Sequence, residues 1–173
     1  MSLGRQLRER FRSPITVLGV GNPLRGDDAA GCLVAKLLSR ASNLQVIDAQ
    51  EAPENYFGHL AREKHGTIVF VDAVDFGMAP GSVALIEIDQ MVDYQPTTHR
   101  LPLSILMRLL RQETGSDVFV LGIQPAAIAF GSSINQAVER GSAALAAVIQ
   151  KASDEAHASA ISDHARFNGE SLS

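Results

Sequence analysis

Apolar runs of strand length alternate with stretches of helical periodicity along most of the chain. The clearest run is 67–73, where nearly every residue is apolar, as in a central strand covered on both faces. The predicted strands are 15–20, 44–49, 67–73, 82–88 and 117–123, and the predicted helices are 29–40, 52–64, 102–113 and 133–151. This alternation predicts an α/β fold, a three-layer sandwich in which helices cover both faces of a mainly parallel, five-stranded twisted sheet.

The fourth predicted strand makes this sheet mixed. Residues 82–88 follow Pro80-Gly81, a turn signal, and the connection from the third strand is too short for a crossover helix. We therefore expect this strand to lie antiparallel, at or near an edge of the sheet.

Composition and charge are those of an ordinary globular protein. The chain has 173 residues and a net charge of −4, and its one cysteine, Cys32, excludes an intrachain disulfide. A single cysteine favours a reducing compartment, which we expect to be the cytoplasm. No run approaches the ~18 apolar residues of a membrane span. After position 152, four acidic residues stand against one arginine, so the rest of the chain is nearly neutral and lacks the basic surface of nucleic-acid-binding proteins.

The same composition suggests a domain boundary. The length predicts one α/β domain, over 1–152. Residues 153–173 are rich in serine, alanine and acidic residues and have little apolar surface to bury. We therefore expect them to form a disordered acidic tail.

A glycine-rich turn between the first strand and the first helix is the most distinctive motif. The run from Gly19 to Gly31, GVGNPLRGDDAAG, is typical of a phosphate-binding turn, but Asp27 and Asp28 stand where a phosphate would lie. Leu24 replaces the third glycine of the dinucleotide fingerprint. The turn therefore favours a cation, although Asp48, which ends the second strand, imitates the acidic residue that contacts ribose.

Two more polar residues are expected near this turn, because ligands bind beyond the carboxyl ends of parallel strands. Asp72 ends the third strand, and His99 precedes the helix that begins near Pro102. With Asp28 they form a set of two carboxylates and one imidazole, which suits nickel, zinc, copper or iron and leaves positions open. Simpler roles remain open: Asp27 as a helix N-cap, Asp72 as an acceptor at a strand end, and His99 as a loop histidine.

Other catalytic chemistries find little support in the sequence. Cys32 lies in a predicted helix with no evident partner to lower its pKa, so we expect a buried, structural thiol. The chain contains neither the G-x-S-x-G nucleophile elbow nor the H-E-x-x-H metalloprotease helix.

Several short motifs, taken in order, resemble those of the nickel–iron hydrogenase maturation endopeptidases. The resemblance covers roughly residues 15–130 and is closest to the branch that processes the large subunit of formate-hydrogenlyase-type hydrogenases. The motifs are GVGN at 19–22 with GDD at 26–28, APEN at 52–55, VDA at 71–73, PG at 80–81, TTH at 97–99 and GIQP at 122–125.

This resemblance implies a mixed five-stranded sheet between helices and an endopeptidase activity. The expected reaction removes the C-terminal extension of the hydrogenase large-subunit precursor after nickel insertion. By the resemblance, Asp28, Asp72 and His99 are the catalytic and metal-contacting residues. They would contact nickel that the precursor supplies, with no organic cofactor.

The expected partner is the precursor, not nucleic acid or a membrane. We expect a monomer, because a large protein substrate must reach the strand ends. Two alternatives stay open at this point: a Rossmann-type nucleotide-binding enzyme, and a non-catalytic nickel chaperone that uses the same three ligands.

Overall fold

The computed structural model describes residues 1–91 and 101–169, with side chains as far as residue 162. The five strands are β1 (Ile15–Val20), β2 (Gln45–Gln50), β3 (Thr67–Ala73), β4 (Val83–Ile86) and β5 (Asp117–Ile123). The α-helices are α1 (Leu3–Arg10), α2 (Ala30–Leu38), α3 (Phe57–Leu60), α4 (Leu103–Thr114) and α5 (Gln136–Gly169). Short 3-10 helices span Gly26–Ala29, Pro53–Tyr56 and Ile88–Gln90.

The strands form one mixed sheet in the order β2-β1-β3-β5-β4. Neighbouring strands are parallel except for β4, which pairs antiparallel with β5 at the edge of the sheet. The predicted mainly parallel sheet with an antiparallel edge strand is therefore confirmed. Since β1, β3 and β5 are parallel, the loops that follow them emerge at the same edge.

Alternating side chains of the central strands build two apolar cores, one on each face of the sheet. On one face, Val17, Val69 and Phe119 belong to a core completed by α1, α2 and α5. On the other, Leu18 and Phe70 belong to a core completed by α3, α4 and Ile88–Gln90. This arrangement confirms the predicted three-layer sandwich.

Close packing of α2 on the sheet depends on Gly31. A Cβ atom at this position would overlap the backbone carbonyl oxygens of Val20 and Val71. Gly31 thus permits the close helix–strand contact that the third glycine of a dinucleotide fingerprint provides. In the dinucleotide fingerprint this glycine would stand at the position of Leu24, in the turn. Here Gly31 lies seven residues later, inside α2.

The predicted helix over 52–64 is much shorter in the structure. It consists of the 3-10 turn Pro53–Tyr56 and the single helical turn of α3. Only Pro53 and Leu60 of these two elements are buried. A short segment with so few buried side chains gains little from tertiary packing, and Gly58 lowers its helix propensity further.

The two ends of the chain differ from the sequence-based expectations. Helix α1, which the sequence pattern did not predict, precedes β1 and buries Leu7. Residues 153–169, expected to be disordered, continue α5. The reason is local packing: the side chain of Ser153 is buried and its hydroxyl donates to the carbonyl oxygen of Asn43 (3.3 Å), while Arg8 pairs with Glu155 (3.4 Å). The alanine-rich sequence beyond favours helix as well.

No helix in the described ranges is both long and apolar enough to cross a bilayer.

Candidate active site at the carboxyl ends of β1 and β3

The turn that follows β1 holds Asp28 in a defined position. The backbone N–H of Asn22 donates to Oδ2 of Asp28 (2.9 Å), and Oδ1 of Asn22 accepts from the N–H of Leu24 (2.8 Å). Gly21 has a φ of 130°, and a Cβ there would overlap the carbonyl oxygen of Asp28. Only glycine fits at this point, so the sequence Gly21-Asn22 brings the chain back close enough to orient a half-buried carboxylate.

Asp72 lies at the end of β3 and faces the same region. Its side chain is half-buried. Burial, with a smaller contribution from the negative charge of Asp28, raises the pKa of Asp72 from an ordinary 3.8 to about 7. The structure therefore brings together two of the predicted site residues, which come from different strands and lie 44 positions apart.

These two carboxylates repel each other without a compensating cation. Within residues 1–91 and 101–162, neither Asp28 nor Asp72 forms an ion pair. A divalent cation bound between them would relieve both the repulsion and the cost of burial. Two carboxylates alone do not complete a transition-metal site, and the described residues contain no group of three acidic, histidine or cysteine side chains that could hold a metal ion.

The third predicted ligand, His99, lies outside the described residues. Its role with Asp28 and Asp72 stays a prediction.

Asp27 has a different role from the one predicted. It does not cap a helix: the N-cap of the 3-10 helix is Arg25 and that of α2 is Ala29, neither with a side-chain cap. Instead, its side chain crosses to the β5–α5 loop, residues 124–135, and accepts three backbone N–H bonds. The donors are Ala126 (2.7 Å), Ala127 (3.0 Å) and Asn135 (2.6 Å). Asp27 is only 1% exposed, so this carboxylate anchors the site turn to a distant loop.

Gln124 joins the other loops of this edge, and the sequence analysis missed its role. Its Oε1 accepts from the N–H groups of Phe76 (2.8 Å) and Met78 (3.2 Å), and its Nε2 donates to Oδ1 of Asp75 (3.0 Å). The buried amide thus fixes the β3–β4 loop, residues 74–82, against β5. The available signal was its place in the GIQP motif, directly after a buried strand.

Cys32 lies beside the turn, within electrostatic range of Asp28, Asp48 and Asp72. Cys32 is buried, and its thiol donates to the carbonyl oxygen of Gly21 (3.3 Å). Burial raises the pKa of this thiol to about 12, with a smaller contribution from Asp48. The predicted burial of the Cys32 thiol is therefore confirmed. Asp48, near the end of β2, is exposed.

Comparison with known proteins gives matches over most of the chain. The family model described as HycI, hydrogenase maturation protease, matches residues 32–152. The hydrogenase 3 maturation protease of Escherichia coli K12 is 36% identical over 126 residues, which are 71% of this chain and 80% of that protein.

Solved structures give the same result. The crystal structure of the [NiFe] hydrogenase maturation protease HycI from Thermococcus kodakarensis superposes with a TM-score of 0.78 at 30% identity, covering 86% of this chain and 99% of that one. The solution structure of the HycI endopeptidase from Escherichia coli gives a TM-score of 0.71 at 32% identity, covering 79% and 89%.

Proposed function

The chain belongs to the hydrogenase maturation protease family, and from this premise we propose that it cleaves the C-terminal extension from a [NiFe]-hydrogenase large-subunit precursor after nickel insertion. The family is one of hydrolases, so the reaction class follows from membership. Dependence of cleavage on nickel is our proposal. Membership of this family also favours a peptidase over the alternative of a Rossmann-type nucleotide-binding enzyme.

The observation that carries the proposal is the convergence of Asp28 and Asp72 without a cationic partner among the described residues. We propose that these carboxylates, together with His99, contact the nickel ion already bound in the precursor. Three protein ligands leave positions on nickel for the precursor's own ligands. The protease would thus bind the nickel-loaded precursor more tightly than the empty one, and this difference in affinity would make cleavage depend on metal insertion.

The reaction itself is an amide hydrolysis. The oxygen of water adds to the scissile carbonyl carbon, the C–N bond breaks, and the amide nitrogen leaves as an amine after it receives a proton. The new C-terminus of the mature subunit is a carboxylate. Nickel held between the precursor and Asp28 and Asp72 would assist by polarising the carbonyl group or the attacking water.

The test compares nickel-loaded and nickel-free precursor, each incubated with the protein and followed by intact mass. We expect the C-terminal peptide to be lost only with nickel and the wild-type protein. Asp28→Asn, Asp72→Asn and His99→Ala should each slow cleavage at least about a hundredfold, because each removes a contact to the metal. The matched control is Asp154→Asn, which removes an exposed carboxylate on α5 and should cleave at the wild-type rate.

Other outcomes separate the alternatives. Equal cleavage of both precursor forms would contradict nickel dependence but keep the endopeptidase activity. Transfer of nickel without shortening of the precursor would favour a nickel chaperone. As a further part of this proposal, we place the reaction in the cytoplasm and expect a monomer to carry it out, since the strand ends must remain open to a large substrate.

A further inference from the structure

The loops around Asp28 and Asp72 carry large apolar side chains that no part of the described fold covers. We infer that four of them form a docking surface for an apolar, uncharged face of the folded precursor. We call this surface the apolar rim; its members are Leu24, Met78, Ile128 and Phe130. The inference rests on the proposed function, and it adds which residues bind the substrate protein.

The members of the apolar rim are unusually exposed for their size. Phe130 is 78% exposed, Leu24 and Met78 are each 61% exposed, and Ile128 is 41% exposed. They come from three loops, which follow β1, β3 and β5 at the same edge of the sheet. Scattered apolar residues on a surface need no explanation, but a group around a candidate site indicates an interface.

The apolar rim is continuous with the candidate site. The N–H of Gly131 donates to the carbonyl oxygen of Leu24 (2.8 Å), so the backbone beside Phe130 lies against the turn that holds Asp28. Ile128 and Asp72 line one groove of about 750 Å³, together with Phe76, Ile86 and Leu103. A protein that reaches Asp72 through this groove therefore contacts at least the Ile128 part of the rim.

The loops that carry three of the four rim residues are held by hydrogen bonds within the chain itself. Asp27 fixes the β5–α5 loop through three backbone bonds, and Gln124 fixes the β3–β4 loop through two. Loops that are already held in place lose little conformational freedom on binding, so their apolar contacts contribute more fully to affinity.

The charge pattern identifies the kind of partner. In a chain that is 20% charged, residues 124–138 and 76–86 contain no charged residue. Exposed charges of both signs flank these segments: Arg25 in the turn, and Asp75 in the groove that also holds Asp72. Because the two charges are opposite in sign, they favour neither an acidic nor a basic partner. The apolar rim fits an uncharged apolar area around the nickel site of the precursor, and aromatic residues such as Phe130 commonly dominate contacts of this type.

The experiment measures cleavage of nickel-loaded precursor over a range of precursor concentrations. We expect Phe130→Ser and Met78→Ser each to raise KM about tenfold while kcat changes less than about twofold, because neither side chain touches the reacting atoms. The matched control is Ile161→Ser, in which a residue 58% exposed lies about 38 Å along α5 from its first turn. This control should keep the wild-type KM.

Direct binding separates this inference from the proposed function. The affinity of Asp28→Asn for nickel-loaded precursor is measured with and without Phe130→Ser, so that no cleavage occurs. If the wild type fails to cleave but precursor binding still falls with Phe130→Ser, the docking surface stands and the proposed function fails.

Two results overturn the inference. In the first, Phe130→Ser and Met78→Ser both keep a KM and a precursor affinity within about twofold of the wild-type values, although Asp28→Asn abolishes cleavage. The other is a wild-type dimer in light scattering that Phe130→Ser converts to a monomer, since the rim would then bind a second copy of this chain.

Discussion

Replacement of Asp27 tests the anchoring role assigned to this buried carboxylate. Asp27→Ala leaves the backbone N–H groups of Ala126, Ala127 and Asn135 without their acceptor. A hydrogen bond to a charged acceptor contributes about 1.5–3 kcal/mol, and hydrogen bonds that share one carboxylate are not additive. We therefore expect the free energy of unfolding to fall by about 3–5 kcal/mol, a large part of the 5–15 kcal/mol typical of a domain.

Urea unfolding followed by circular dichroism measures this change. With a slope of about 2 kcal/mol/M, the loss lowers the midpoint by about 2 M. Asp27→Asn keeps the volume and one acceptor oxygen, so it should show about half the effect. The control is Asp89→Ala, which breaks an exposed ion pair with Arg108 (3.2 Å) and should cost less than about 1 kcal/mol. A midpoint for Asp27→Ala within about 0.5 M of wild type would refute the anchoring argument.

Two further predictions concern ionisation. In metal-free protein kept in a chelator, the raised pKa of Asp72 means that the folded state holds a proton between about pH 4 and about pH 7 that the unfolded chain has released. The free energy of unfolding of the wild type should therefore decrease as the pH rises across that window. Asp72→Asn should remove this decrease, so that at pH 8 the variant is more stable than the wild type by up to about 4 kcal/mol. Parallel profiles of stability against pH for the two proteins would contradict this. Cys32, with a pKa of about 12, should react with a thiol reagent at pH 8 at least about a hundredfold more slowly in native than in urea-unfolded protein, and equal rates would exclude the described burial.

The parts of the fold that the sequence predicts best are those that local pattern determines. β1, β3 and β5 begin and end where the apolar runs do, because buried parallel strands are apolar on both faces. Helix α1 shows the opposite case. Its apolar positions are few and its sequence is rich in arginine, so its stability depends on tertiary contacts, such as those of Leu7 with the core of α5.

In the candidate site, too, some features could be predicted from the sequence and others could not. That Asp28 and Asp72 meet follows from topology, since Asp28 lies in the turn after β1, Asp72 lies at the end of β3, and the two strands are parallel neighbours. The partners of Asp27 could not be predicted, because its three donors lie about a hundred residues away and belong to backbone groups that carry no sequence signature. The position of Asp27 at the start of a helix suggested a local N-cap. In the structure its buried carboxylate instead accepts hydrogen bonds from a loop that is distant in sequence.

The Asp27 anchor also sets the order in which the site can be completed. Its hydrogen bonds close loops of 99, 100 and 108 residues, and contacts of such separation form late in folding because loop closure must precede them. A chain emerging from the ribosome could pair β1 with β3 long before residue 135 is available. The turn that carries Asp28 therefore remains untethered until nearly the whole domain has been synthesised, and a fully anchored site is a property of the finished protein.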